Sequence, residues 1–415
     1  MSLSERVDIL RLRNFRNLLL GETVSVLGDG LFPIALTYAV LDLTGSGFDL
    51  GLVLASYSIP MVLLVLVGGV WADRLRREWV MIVSDLTRAA MAAIMAGLLL
   101  SGHAEVWSLV VLGLVFGSAD AFFYPAFGAL IPQLVPEDRL QEANSLRGIS
   151  ESSGWFVGPA LSGVLIATIG AGGTIAIDAV TFLISAAFLS TLRVPPLKRT
   201  LARQSFVVEL RHGWHEIRSR TWLWVMMLRT MLVLFITIAP LQVLAPLALK
   251  EQGRGAPAWG LLMGLFSLGM LVGGALALTL RPRRPMIVVV VCGATAFTSP
   301  LALALGSDLP VLCLVWVLRG FAIGLLVAVW ETALQREIAG ESLARVTAWD
   351  WMTASALWPL GLVIAGPAAE ALGVTTACWL SAGLGLAFSL WPLAVRDLWR
   401  RAAPTSDAQP SFTLP

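Results

Sequence analysis

Twelve runs of apolar residues follow one another along this 415-residue chain, near 17–41, 50–72, 79–100, 107–130, 146–168 and 174–192, then near 222–249, 258–280, 286–305, 310–332, 347–370 and 375–395. An α-helix rises ~1.5 Å per residue, so about 20 apolar residues cross the ~30 Å hydrocarbon core of a bilayer. In lipid the backbone polar groups must be satisfied internally, and runs of this length do so as helices rather than as the ~10-residue strands of a barrel. The expectation is an all-α membrane protein with twelve transmembrane helices. Only 13% of the residues are charged and 57% are hydrophobic, against about 25% charged in a soluble domain. That composition excludes a nucleic-acid-binding module, a disordered chain and a secreted disulfide domain, and it leaves no material for a separate soluble enzyme domain.

The net charge of +2 says little, but the placement of the charges says much. Of 29 lysines and arginines, 24 fall in the N-terminus, the C-terminus and every second loop, while the alternate loops hold only Lys250 and Arg254. Basic loops stay cytoplasmic, so both termini are expected inside a bacterial inner membrane, an arrangement that an odd number of spans would break. The N-terminal run lacks a small-residue cleavage site and reads as a first span rather than a signal peptide. Cys292, Cys313 and Cys378 are scattered through apolar runs and suggest neither disulfides nor a thiolate metal site. His212, His215 and Glu216 have a weak metal-like spacing inside a basic amphipathic stretch better suited to anionic headgroups, so no metal is expected.

That stretch, 193–221, is the one long polar segment, and it divides the spans into two sets of six. The expected organisation is an N-terminal bundle (1–192), a cytoplasmic linker (193–221), a C-terminal bundle (222–396) and a tail (397–415). The segment starting at Pro132 (PQLVPEDRLQEA) resembles that starting at Arg336 (REIAGESLARVT), 204 residues later, and each joins one span to the next. Two pseudo-symmetric six-helix halves with a substrate site between them are a transporter architecture.

Several strings carry a resemblance to the major facilitator superfamily over essentially the whole chain. Gly69-Val70-Trp71-Ala72-Asp73-Arg74-Leu75-Arg76-Arg77 resembles its loop G-x-x-x-D-R-x-G-R-R, departing at Arg76 and at Glu78. The resemblance implies a gating role for Gly69, Asp73, Arg74 and Arg77, with the Asp facing the start of the eleventh helix. Gly154-x-x-x-Gly158-Pro159-Ala160-Leu161-Ser162-Gly163 resembles the G-x-x-x-G-P-x-x-G-G stretch of the family's antiporters, and adds Gly158 and Pro159 to the gating set. Within the superfamily, Leu27–Pro33 (LGDGLFP), Ala121–Ala126 (AFFYPA) and Ile177–Phe182 (IDAVTF) look like the bacterial exporter branch that contains the enterobactin exporter, the macrolide-efflux proteins and the multidrug pump Tap. The Arg that drug–proton antiporters often carry in the fourth span is absent from 106–119.

Ionisable groups deep in a bilayer cost at least ~2.5–3.5 kcal/mol on insertion scales, so each is a candidate for function. Asp29 lies twelve residues into the first span, roughly 18 Å deep, and Glu22 sits two turns away on the same face. Asp120 shares a helix face with Phe116, Phe123, Tyr124 and Phe127. Asp29, Glu22 and Asp120 are therefore the candidate proton-coupling residues. Asp29, Phe32, Asp120, Phe123, Tyr124, Arg319 and Trp330 are the candidate substrate-binding residues, since an acid on an aromatic face suits an amphipathic cation. Arg319 and Arg229 would hold an anion, or serve as counter-ions to Asp29 or Asp120, or form pairs within their own bundle. Asp85 and Arg88, three apart, would pair locally.

No phosphate-binding loop and no hydrolase or metalloprotease signature occurs, so no cofactor is expected and transport is driven by an ion gradient or runs downhill. The expected function is secondary active export of an amphipathic small molecule (a drug, macrolide or siderophore-like metabolite) by alternating access, with protons as coupling partner, lipids around the chain and a monomer as the unit. The alternatives are an importer or lysophospholipid flippase on the same scaffold, or a membrane sensor that does not transport.

Overall fold

In the computed structural model the described residues are 8–72, 75–194, 214–280, 282–338 and 340–395, with backbone alone at 8, 65–72, 340, 341 and 344. Residues 195–213 of the expected linker, the last residue of the expected C-terminal bundle (396) and the whole expected tail (397–415) lie outside them. So do Asp73 and Arg74 of the expected gating loop, while Gly69 is described only as helical backbone.

The first helices are α1 (Arg13–Thr44), α2 (Gly47–Ala72), α3 (Arg77–Leu100) and α4 (Val106–Leu134). A helical stretch of 51 residues, Leu140–Ser190, then spans about 77 Å, too long for one crossing. It breaks at Gly170, whose φ of 76° and ψ of 170° suit a residue without Cβ, into α5 (140–169) and α6 (171–190). The second set is α7 (Thr221–Glu251), α8 (Gly255–Ala277), α9 (Pro285–Ala304), α10 (Leu309–Glu337), α11 (Gly340–Leu372, interrupted at Leu357) and α12 (Val374–Ala394). With the Gly170 break the described residues form twelve apolar helices, as the hydropathy runs predict. α7 contains a π-helical turn at Leu234–Ile238, just before Pro240.

The residue distribution is inverted relative to a water-soluble protein. Leu63, Leu100, Trp107 and Ile149 are at least 65% exposed, whereas Glu22, Asp85, Arg88, Asp120, Asp178, Arg229 and Arg319 are buried. An outer face of large apolar groups matches lipid, and polar groups turn inward. Helices in lipid gain nothing from burying apolar area against one another, so they associate where small residues let backbones approach. Between α8 and α10, a Cβ on Gly269, Gly273, Gly320 or Gly324 would lie 2.0–2.2 Å from a facing carbonyl oxygen. Gly117 of α4 has the same relation to Tyr57 of α2, so the equivalent helix pair of each set uses the same device.

Three apolar cores define how the two sets meet. One contains residues of both sets, such as Leu36, Leu50, Phe116 and Phe182 with Leu244, Trp259, Trp316 and Leu362, and fills the end away from the termini. At the terminus end each set keeps its own core: Phe15, Met81, Phe127 and Leu189 in the first, and Trp222, Val289, Leu334 and Val346 in the second. The halves therefore share one apolar core at the end away from the termini and keep separate cores at the other.

Candidate functional site

The buried polar groups of the first set converge on Arg88. Its side chain is fully buried on α3, and the guanidinium lies 4.3 Å from the ring centroids of both Phe123 (α4) and Phe182 (α6). Nη2 donates to Oδ1 of Asp85 one turn earlier on the same helix, while Nη1 donates to Oδ1 of Asp120 at 2.8 Å. Oδ1 of Asp29, from α1, lies 3.5 Å from the same Nη1. Tyr57 of α2 donates its hydroxyl to Oδ2 of Asp120 at 2.7 Å. Four helices thus bring three carboxyl groups and a phenol to one guanidinium. A buried charge tolerates this environment only when paired and hydrogen-bonded, and the planar fork of arginine can reach several acids at once while its faces rest on aromatic rings.

Accessibility separates the three acids. The side chains of Asp85 and Asp120 are 0% and 3% exposed, but that of Asp29 is 13% exposed. Asp29 therefore combines the longest contact to Arg88 with the greatest access from outside the cluster. Charge balance leaves two of the three negative charges without a local partner, to be met by protons or by a bound cation.

The local sequence explains why α1 can bring Asp29 so deep. A Cβ on Gly28 would lie 2.3 Å from Oδ1 of Asp178 and 2.1 Å from Oγ1 of Thr181, both on α6. A Cβ on Gly30 would lie 2.7 Å from the carbonyl of Gly154 and 2.9 Å from Cα of Gly158. The two glycines flanking Asp29 thus let α1 lie directly on α6 and α5. Asp178 is fully buried and its Oδ2 has no hydrogen-bond partner, and the same holds for Oε2 of the buried Glu22.

Of the expected site residues, Asp29, Asp120 and Phe123 come together at Arg88, with Phe32 and Tyr124 beside them. Phe32 stacks on Phe116 at 4.4 Å, next to Tyr57, and the ring of Tyr124 lies 6.0 Å from Phe123. Arg319 and Trp330 are not part of this group. Arg319 donates to Oγ of Ser299 at 3.3 Å and lies 5.0 Å from the Phe266 ring. Trp330 donates to Oδ2 of Asp350 at 2.9 Å. Both sets of contacts lie within the second six helices, and the basic group beside Asp29 and Asp120 is Arg88. Nε and Nη2 of Arg229, packed on Gly293, have no hydrogen-bond partner.

Gly158 and Pro159 sit at a junction of three helices. A Cβ on Gly158 would lie 2.6 Å from Cα of Gly30, and a Cβ on Gly260 of α8 would lie 2.6 Å from the carbonyl of Pro159. The α5 segment therefore touches both its own set and the other. Arg77 donates to the carbonyl of Ala129 on α4.

Sequence reasoning found the Asp85–Arg88 pair but not its reach to Asp29 and Asp120, nor the part played by Tyr57 and Phe182. One signal was present: apart from Arg147 at the very start of the fifth run, Arg88 is the single basic residue inside the first six apolar runs, so a deeply buried acid of that set needing a cation could find it only there.

The Major Facilitator Superfamily pattern matches residues 18–349. Macrolide efflux protein A of Streptococcus pyogenes is 24% identical over 362 residues, covering 85% of this chain and 89% of the relative. The multidrug efflux pump Tap of Mycolicibacterium fortuitum is 28% identical over 365 residues, covering 84% and 87%. Among solved structures, the nucleoside transporter NupG superposes with a TM-score of 0.74 at 16% identity, covering 93% of this chain and 99% of NupG. A bacterial homologue of the human lysosomal transporter Spinster, in an inward-facing and unoccupied conformation, superposes with a TM-score of 0.69 at 15% identity, covering 98% and 100%. These relatives are transporters, not enzymes, and twelve apolar helices make this chain a multi-pass membrane protein like them. The match over most of its length, on the fold the superfamily shares, places the chain in the Major Facilitator Superfamily.

Proposed function

We propose that this chain exports amphipathic small molecules from the cytoplasm by alternating access, in exchange for protons taken up at Asp29. The macrolide and multidrug efflux relatives, matched over most of both chains, support the direction and the substrate class. The observation that carries the coupling is the Arg88 cluster, in which three acids share one cation and only Asp29 is appreciably accessible.

With both termini cytoplasmic, as the basic loops indicate, the shared core closes the outer end and the cluster is approached from inside. An amphipathic cation entering there meets a carboxyl group set among aromatic rings, an environment that favours it over water. Once the halves rock and the outer end opens, a proton on Asp29 replaces the cation as the charge partner. Substrate and proton then compete for one carboxylate, which is the condition for exchange. Arg88 keeps its hydrogen bonds to Asp85 and Asp120 throughout, so these two acids stay in place while Asp29 changes partner.

The test is efflux from intact cells. Expression is expected to lower steady-state accumulation of ethidium or a macrolide several-fold, and a protonophore is expected to restore it. Accumulation unchanged by expression, with the protein shown to be in the membrane, contradicts the export reading. Accumulation lowered but indifferent to the protonophore contradicts the coupling.

A further inference from the structure

The turn joining α1 to α2 is held from both sides by the opposite set of helices. Lys250, at the end of α7, donates from Nζ to the carbonyl of Leu41 at 2.5 Å and lies 3.1 Å from Oδ1 of Asp42. Leu41 is in the last turn of α1, and its carbonyl also accepts the N–H of Gly45, the left-handed residue that ends the helix. On the other side of the turn, Oε1 of Glu370 on α11 accepts the hydroxyl of Ser46 at 2.8 Å and the backbone N–H of Phe48 at 3.3 Å. Ser46 in turn accepts the N–H of Asp49 at 3.2 Å. The first N–H groups of α2 are thus capped by one residue of its own set and one of the other.

We propose that Lys250 and Glu370 form a latch that closes the end of the protein away from the termini, each acting as a helix cap supplied across the boundary between the halves. The signs are those a helix requires. Unpaired carbonyls make the C-terminus of α1 partially negative, and it receives an ammonium group. Unpaired N–H groups make the N-terminus of α2 partially positive, and it receives a carboxylate. When the halves separate at this end both partners are lost together, and the helix ends return to water.

Close packing beside the caps makes the contact selective for one arrangement. A Cβ on Gly366 would lie 2.3 Å from the carbonyl carbon and oxygen of Gly47, and one on Gly51 would lie 2.3 Å from the carbonyl of Leu362. α2 and α11 therefore touch backbone to backbone here, a contact that is lost when the halves part at this end. Lys250 is one of two lysines in the chain, and on its side of the membrane only Arg254 shares its charge. The Asp42 side chain is 64% exposed, so its ion pair is largely screened and the carbonyl of Leu41 is the principal partner. Lys250 and Glu370 touch none of the Arg88 cluster; they are positioning residues for the closed state.

The test needs neither substrate nor a pH gradient, so its outcome is independent of the export reading. In a background with Cys292, Cys313 and Cys378 replaced by alanine, spin labels are placed at His103→Cys and Asp308→Cys, in loops at the latched end of the two sets. The distance distribution is then measured with the full-length protein in lipid nanodiscs. Each of Lys250→Met and Glu370→Ala is expected to raise the ratio of long to short distances by about fivefold, and the double variant by about 25-fold, as for the loss of independent helix caps. Lys250→Arg, which keeps the cation, and Glu370→Gln, which keeps an acceptor, are expected to shift it less than their apolar counterparts. A ratio that changes less than twofold in both apolar variants overturns the proposal. So does an equal shift in the conservative and apolar variants.

Discussion

Replacing Arg88 by methionine is expected to destabilise the protein by about 3–5 kcal/mol and to abolish transport, because it leaves buried carboxylates without their cation. Three acids depend on this guanidinium, and two of them are almost wholly enclosed. The fold cannot offer a substitute, since the remaining intramembrane arginines, Arg229 and Arg319, sit in the other six helices with contacts of their own. Lysine is not expected to rescue. A single ammonium cannot fork between Asp85 on one side and Asp120 and Asp29 on the other, and it lacks the flat faces that rest on Phe123 and Phe182. Neutralising acids in the methionine background, with Asp85→Asn and Asp120→Asn, is expected to recover part of the lost stability, because the penalty belongs to the unpaired charges. Thermal unfolding in detergent reads all of these. A methionine variant within about 0.5 kcal/mol of the parent would mean the cluster contributes nothing to the fold.

Gly158→Val is expected to have the second-largest effect. A Cβ at this position meets backbone at 2.6 and 2.9 Å and the carbonyl of Leu27 at 3.0 Å. No side chain can rotate away, so α1 must move off α5. Overpacking of this kind costs about 1–3 kcal/mol, but the functional loss is expected to exceed what stability explains. Asp29 lies next to Gly30 on the displaced helix, and its 3.5 Å approach to Arg88 does not survive a shift of about an ångström as a hydrogen bond. Gly97→Ala on α3, where nothing lies within 4 Å of the new Cβ, serves as the control. It is expected to leave transport unchanged and stability equal or slightly raised, since alanine favours helix. Transport assayed at equal membrane abundance checks both, and a Gly158→Val protein that transports normally would contradict the close α1–α5 contact.

The helices were legible because lipid makes a demand that a single sequence can answer: about 20 apolar residues, repeated. Even the boundary between α5 and α6, where the helical backbone runs almost unbroken, was marked by Gly170 and the glycines after it. Asp29 and Asp120 stood out because a carboxyl group inside an apolar run is costly wherever the fold puts it. The partnership among them was less visible. Asp85 and Arg88 are three residues apart, a spacing that any helix pairs, whereas Arg88 and Asp120 are joined by the packing of α3 on α4. Tyr57 carries no signal in an apolar run until Asp120 is seen beside it. Arg319 and Trp330 were grouped with the substrate residues on depth and residue type, but depth does not tell which neighbour a helix face meets, and here the neighbours are Ser299 and Asp350. Lys250 and Glu370 meet a turn more than 200 residues earlier in the chain, a relation that no local pattern encodes.

Purified protein in vesicles, with an imposed pH gradient and a fluorescent amphipathic cation, isolates the exchange of substrate for protons at Asp29. The parent protein is expected to move the cation uphill against proton flow. Asp29→Asn, which keeps the size of the side chain but removes its charge and its proton, is predicted to fold, to retain Arg88 paired with Asp85 and Asp120, and to lose accumulation driven by the gradient. Gradient-driven accumulation by Asp29→Asn at the parent rate would contradict exchange at Asp29.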